Sequence, residues 1–97
     1  MRSYVILSNW TDQGIKNSHD TIKRAKNFRA LIERRGGKLR EHLYTFGEYD
    51  IITVAEFPDD AIAASTVLTL ARLGNVRVKT MRAFTDQETT DIIAQLG

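Results

Sequence analysis

His42, Tyr44 and Thr53 are the residues whose types and spacing best suit chemistry in this chain. His42 and Tyr44 alternate along His42–Phe46, a run with strand character, and Tyr49–Glu56 reads as a second strand. Gly47-Glu48 lies between the two runs, and a glycine at the first central position of a two-residue loop suits a type II′ turn, where φ must be positive. That turn sets Phe46 opposite Tyr49, Tyr44 opposite Ile51, His42 opposite Thr53, and Leu43 opposite Ile52. Opposed residues share a face and neighbours alternate. An imidazole, a phenol and a hydroxyl therefore share one surface with Ile51, while Leu43, Ile52 and Val54 occupy the other. A histidine so placed can serve as acid or base near neutral pH. The plainer account is a hydrogen-bonded cluster at a subunit contact, since buried polar groups need partners.

Other residues join this surface or flank it. Along the strand Tyr4–Trp10, Val5 and Leu7 fall on one side and Tyr4, Ile6, Ser8 and Trp10 on the other. Ser8 would add a hydroxyl to the polar face. Trp10 would add either a stacking wall for a ligand or a large apolar anchor. Gly47, Tyr49 and Asp50 form a compact motif in the hairpin. Asp50 either holds a ligand cation, accepts from an arginine such as Arg82, or ties down the hairpin through backbone N–H groups. The sheet order expected below sets Tyr49 and Asp50 at one edge and Asn9, Trp10 and Glu56 at the other, too far apart to meet on one small ligand. Asn9 and Gln13 suit ligand orientation and loop capping equally. The two histidines, His19 and His42, stand far apart with no His-x-x-x-His spacing, so no metal site is expected. Lys23, Arg24, Lys26, Arg29, Arg34, Arg35, Lys38 and Arg40 form a basic run without interleaved aromatics, which reads as a solvated face with weak attraction for anions.

The elements that must position these groups follow in order. Asp20 or Thr21 caps a helix running to about Arg35, with Ile22, Ala25, Phe28, Leu31 and Ile32 at helical spacing, and Gly36-Gly37 stops it. Lys23, Arg24, Lys26 and Arg29 lie largely away from that stripe. Pro58 ends the hairpin, Asp59 or Asp60 caps a second helix over Ala61–Leu73, and Gly74-Asn75 closes it. That helix is apolar nearly all round, which calls for packing on two sides. Val76–Phe84 is a fourth strand, and Thr85 with Glu88 forms a capping box for a short terminal helix. The order β-α-β-β-α-β predicts an α+β, ferredoxin-like antiparallel sheet with its helices on one face, plus a C-terminal helix. Val5, Leu7, Leu43, Ile52 and Val54 are expected beneath the helices. Ile6, Ser8, Trp10, His42, Tyr44, Ile51 and Thr53 are expected on the open face, where two copies would close a lined barrel.

Composition narrows the classes further. A chain of 97 residues is one domain, here 1–97. A formal charge of +2 makes no case for nucleic acid. Absence of cysteine rules out disulfides and thiolate chemistry. No signal-peptide pattern or membrane-length apolar run occurs, so the expected location is the cytoplasm, without membrane contact. No phosphate loop, dinucleotide fingerprint or nucleophile elbow is present, and no cofactor is expected.

Asn9-Trp10-Thr11-Asp12-Gln13-Gly14, Gly47-Glu48-Tyr49-Asp50, Gly74-Asn75-Val76-Arg77 and Arg82-Ala83-Phe84-Thr85 together resemble the GYD-domain proteins, named for the motif matched by Gly47, Tyr49 and Asp50. The resemblance spans the whole chain. It departs where a proline often opens the first helix; Ile22 stands here. It implies a ferredoxin-like fold related to dimeric α/β barrels, and almost nothing about activity. The hairpin also resembles the effector-binding domain of Lrp/AsnC-type regulators, without their helix-turn-helix. Three functions are compatible with these residues. The first is a homo-oligomeric small-molecule-binding domain using Ser8, Trp10, His42, Tyr44 and Thr53. The second is a cofactor-independent isomerase or monooxygenase with His42 as acid or base. The third is a ligand-free assembly or regulatory module.

Overall fold

The computed structural model describes all 97 residues. In chain order the elements are β1 (Arg2–Trp10), α1 (Asp12–Lys16), a 3₁₀ turn (Ser18–Asp20), α2 (Thr21–Arg34), β2 (Lys38–Tyr44), β3 (Ile51–Phe57), α3 (Asp60–Arg72), β4 (Val76–Ala83) and α4 (Asp86–Ile93). The strands form one antiparallel sheet in the order β2-β3-β1-β4. This is the ferredoxin-like α+β arrangement, with α2 and α3 packed on one sheet face. No helix is long and apolar enough to cross a membrane.

Local chemistry starts and stops these elements. Thr11 caps α1 by accepting from the Gly14 N–H, and Asp59 caps α3 by accepting from the Ile62 N–H at 2.8 Å. Thr85 and Glu88 complete the capping box of α4. Thr11-Asp12-Gln13 and Thr85-Asp86-Gln87 thus each follow a strand and open a helix. Asp20 precedes α2 without a side-chain cap bond, because the 3₁₀ turn runs directly into the helix. Gly36 and Gly74 take φ of 80° and 85°, the left-handed conformation that ends α2 and α3. α4 buries no residue. The radius of gyration is 14.6 Å, against about 12.5 Å for a compact chain of this length, in keeping with a helix that projects from the body.

The hairpin register is as the sequence implies, with His42 opposite Thr53, Leu43 opposite Ile52 and Tyr44 opposite Ile51. The turn differs. β2 ends at Tyr44 and β3 begins at Ile51, so the connection spans Thr45–Asp50 and Phe46 does not pair with Tyr49. Gly47 has no positive φ. Thr45 closes the loop instead, donating its N–H to the Asp50 carbonyl at 2.9 Å and its hydroxyl to the Tyr49 carbonyl.

The two sheet faces are the reverse of those expected. Tyr4, Ile6, Leu39, Ala55 and Phe57 are buried against Phe28 and Ile32 of α2 and Ala63 and Val67 of α3. Ser8 and Thr53, 3% and 2% exposed, continue that face. The His42–Thr53 surface therefore lies beneath the helices, and two such surfaces cannot meet between copies. Val5, Leu7, Ile52 and Val54 are half-buried on the uncovered face, beside Leu43 and Met81 at 55% and 49% exposure. A bulge between Leu39 and Glu41 contributes to the reversal. Strict alternation would group Leu39 with Leu43, but the extra residue at Arg40 turns Leu39 towards the helices.

Candidate functional site

The helix-covered face changes character along its length. Towards the Tyr4–Phe57 end it is closed by an edge-to-face aromatic pair with centroids 5.6 Å apart and by the buried core. Towards the other end its residues are smaller or polar, and a cavity of about 380 Å³ remains between the sheet and α2 and α3. Ser8, Trp10, His42, Tyr44 and Thr53 all border it, together with Ile51, Val76 and Asn75. Phe28, Leu31 and Leu70 supply apolar wall from the helices, and Thr21, Arg24, Asn27, Arg34 and Thr69 supply polar groups. No aspartate or glutamate lines it. Its volume falls near the low end of the roughly 300–1,000 Å³ usual for small-molecule pockets.

The floor is held by one cross-strand contact. His42 Nδ1 lies 2.9 Å from Thr53 Oγ1, which opposes it in the β2–β3 ladder. The Tyr44 ring meets the imidazole edge-to-face at 5.3 Å. Burial, with Arg29 adding to it, holds the His42 pKa below its ordinary value, so the ring stays neutral at pH 7. Burial raises the Tyr44 phenol, opposed by the nearby Arg24 charge. A neutral imidazole can accept a proton or donate a hydrogen bond; no second acid–base group accompanies it on the floor except the phenol.

Trp10 links this cavity to the hairpin motif. Its backbone N–H donates to Asp50 Oδ2 at 3.0 Å, while the Asp50 N–H donates to the Ser8 carbonyl at 2.9 Å. Asn9 Nδ2 donates to the Glu48 carbonyl at 2.8 Å and lies 3.5 Å from Asp50 Oδ2. The expected separation of Asp50 from Asn9 and Trp10 is thus overturned. β1 and β3 are adjacent and antiparallel, so the end of β1 meets the start of β3. Only Glu56 is remote, paired with Arg40 at 3.4 Å. Arg82 is no partner of Asp50; it binds Glu88 and Asp60 at the opposite end of β1. The Asp50 carboxylate accordingly braces a neighbouring strand and not its own hairpin. Tyr49 stands over this junction with Lys79 Nζ 5.7 Å from its ring centroid. A β-carbon added at Gly47 would meet nothing within 4 Å. Gln13 donates to the Leu73 carbonyl and to Asn75 Oδ1, which makes it a loop brace. The Trp10 indole N–H is buried with no acceptor in the protein.

Helix residues complete the cavity, and two of them, Arg24 and Arg34, belong to the basic run expected to be a solvated face. Arg24 precedes Phe28 by four and Leu31 by seven, the spacing of a single helix face, so its position on the apolar stripe is readable from the sequence. No group of three His, Cys, Asp or Glu residues capable of holding a metal occurs in the structure.

Comparison with known proteins finds relatives of this chain. The glutamine synthetase and cystathionine beta-lyase binding protein of Thermus thermophilus is 31% identical over 97 residues, covering 99% of each chain. The GYD domain profile matches residues 4–93. With its Gly47, Tyr49 and Asp50 set around the β1–β3 junction, the chain belongs to the GYD domain family.

Proposed function

We propose that this protein is a binding module that takes a small molecule into the cavity between its sheet and helices α2 and α3, and self-associates through the uncovered sheet face. The cavity carries the first part. It is concave, mostly apolar and floored by the converging groups of Ser8, His42, Tyr44 and Thr53, the composition of ordinary ligand sites. The second part rests on Val5, Leu7, Ile52 and Val54, half-buried on the uncovered face beside the exposed Leu43 and Met81, an apolar patch across four strands edged by Glu41 and Lys79. A second copy, presenting the same patch about a two-fold axis, matches such a surface by symmetry.

Thermal unfolding across a panel of small metabolites tests the ligand role. A compound present at about 100 times its Kd adds roughly 2.7 kcal/mol to stability. The expected result is a set of stabilising compounds whose effect disappears in Ser8→Leu, which fills the cavity. Stabilisation that persists in Ser8→Leu, or no stabilising compound at all, refutes it.

The Thermus relative, named as a binding protein for two enzymes, favours a second reading in which the chain docks onto another enzyme. The uncovered sheet face is then the contact surface. Light scattering separates the two: a monomer that gains mass only with a partner enzyme supports docking, and a homo-oligomer alone supports self-association.

A further inference from the structure

We propose that the cavity selects a small organic anion, an apolar or aromatic body carrying one carboxylate, phosphate or sulfonate group. The inference rests on the reading of this cavity as the binding site. It starts from an imbalance of charge. Arg24 and Arg34 border the cavity, and no carboxylate does. The ion pairs of the molecule are Arg2–Asp60, Arg40–Glu56, Arg82–Asp60 and Arg82–Glu88, so neither guanidinium has an anionic partner.

Arg24 is held in place by neutral acceptors alone. It donates to the Asn17 carbonyl at 2.8 Å and lies within 3.3–3.4 Å of the Gly14 carbonyl and the Thr21 hydroxyl. Carbonyl contacts fix the fork without cancelling its charge, and the remaining field acts on the cavity. Tyr44, on the cavity floor, registers it: Arg24 pulls the phenol pKa downward against burial. In a partly enclosed, low-dielectric space such a field acts with less screening than at an open surface. The wall of Phe28, Leu31 and Leu70 takes the apolar body of the ligand. A planar guanidinium can aim two N–H groups at two oxygens of one carboxylate, phosphate or sulfonate. A free inorganic anion would leave the apolar wall unused, and an uncharged hydrocarbon would leave the arginines unanswered.

A matched pair of fluorescent probes tests this: 8-anilinonaphthalene-1-sulfonate and N-phenyl-1-naphthylamine, which share the ring system and differ in the sulfonate. Trp10, the single tryptophan of the chain, borders the cavity, so quenching that is lost in the cavity-filling Ser8→Leu variant reports occupancy there. The expected result is Trp10 quenching by both probes. The sulfonate should bind about tenfold or more tightly, the size of one charge-assisted contact. That preference should shrink in Arg34→Gln and in Arg24→Gln and weaken with added salt. Arg34 is exposed, so its variant retains the fold. Equal affinities, or a preference unchanged in both variants, overturn the anion assignment and leave the cavity as a binding site. Probe emission without Trp10 quenching for either compound overturns both readings, since binding is then elsewhere.

Discussion

Replacing Asp50 by alanine separates the structural from the ligand-binding account of the family motif. Its carboxylate receives the Trp10 backbone N–H at 3.0 Å, in a part-buried position across the β1–β3 junction. The Asn9 amide at 3.5 Å is at the limit of a hydrogen bond and keeps its stronger contact with the Glu48 carbonyl, so it adds little. Asp50→Ala therefore removes one charged acceptor and leaves one N–H without a partner. Hydrogen bonds to charged groups contribute about 1.5–3 kcal/mol, and neutral ones about 0.5–1.5 kcal/mol. Asp50→Ala is expected to destabilise by about 2 kcal/mol and Asp50→Asn by about 1 kcal/mol, since asparagine keeps a carbonyl oxygen for the Trp10 N–H.

Urea unfolding followed by tryptophan emission measures both, with a built-in local reporter. The midpoint should fall in the order wild type, Asp50→Asn, Asp50→Ala, with the slope unchanged. In a thermal scan the alanine variant should melt roughly 8–16 °C lower, at about 4–8 °C per kcal/mol for a domain of this size. Native-state Trp10 emission should also shift in Asp50→Ala, as the end of β1 loosens beside the cavity. Equal stability of Asp50→Ala and wild type, within about 0.5 kcal/mol, refutes the brace. A stable Asp50→Ala that no longer binds ligand would put the carboxylate at the site itself.

Three further outcomes follow from the geometry. Because His42 has a lowered pKa in the fold, the unfolded chain takes up its proton first as pH falls; the stability due to the neutral ring is complete above about pH 6.5 and declines below it. Denaturant titrations from pH 8 to 5 should show that decline in wild type and a flatter profile in His42→Gln, with Arg29, Arg24, Arg34 and Tyr44 unchanged around it. Gly14→Ala would bring a β-carbon within 2.0 Å of the Asn75 carbonyl oxygen, the acceptor of the Thr11 N–H, so a loss of at least about 1–3 kcal/mol is expected in urea, and an unchanged midpoint would contradict the packing of α1. Ile52→Lys puts a charge between Leu7 and Leu43 on the uncovered face; light scattering should give the monomer mass, and an intact oligomer would rule this face out as the contact.

The sequence spelled out pairing far better than facing, and β1 shows why. Alternation sorts Val5 and Leu7 from Tyr4, Ile6, Ser8 and Trp10 without ambiguity, but both sets are apolar enough to be buried. Strand β3 repeats the problem, with Ile52 and Val54 set against Ile51, Thr53, Ala55 and Phe57. Period-two patterning fixes which residues lie together; only the surplus of burial decides which side takes the helices. Here that surplus sits at one end, where Tyr4, Ala55 and Phe57 meet Ile32 and Ala63, while polar Ser8, His42 and Thr53 at the other end mark the same face as wet. The mixed character that pointed to an open surface is the signature of one face serving two purposes, core at one end and cavity at the other. Arg24, expected away from the apolar stripe of α2, borders the cavity instead, because its spacing to Phe28 and Leu31 outweighs its charge in deciding where it points. The bulge at Arg40 was not legible, since nothing in Lys38–Leu43 distinguishes an extra residue from regular alternation. A cavity in this fold therefore arises where side chains on the helix-covered face become too small or too polar to fill the space that α2 and α3 span.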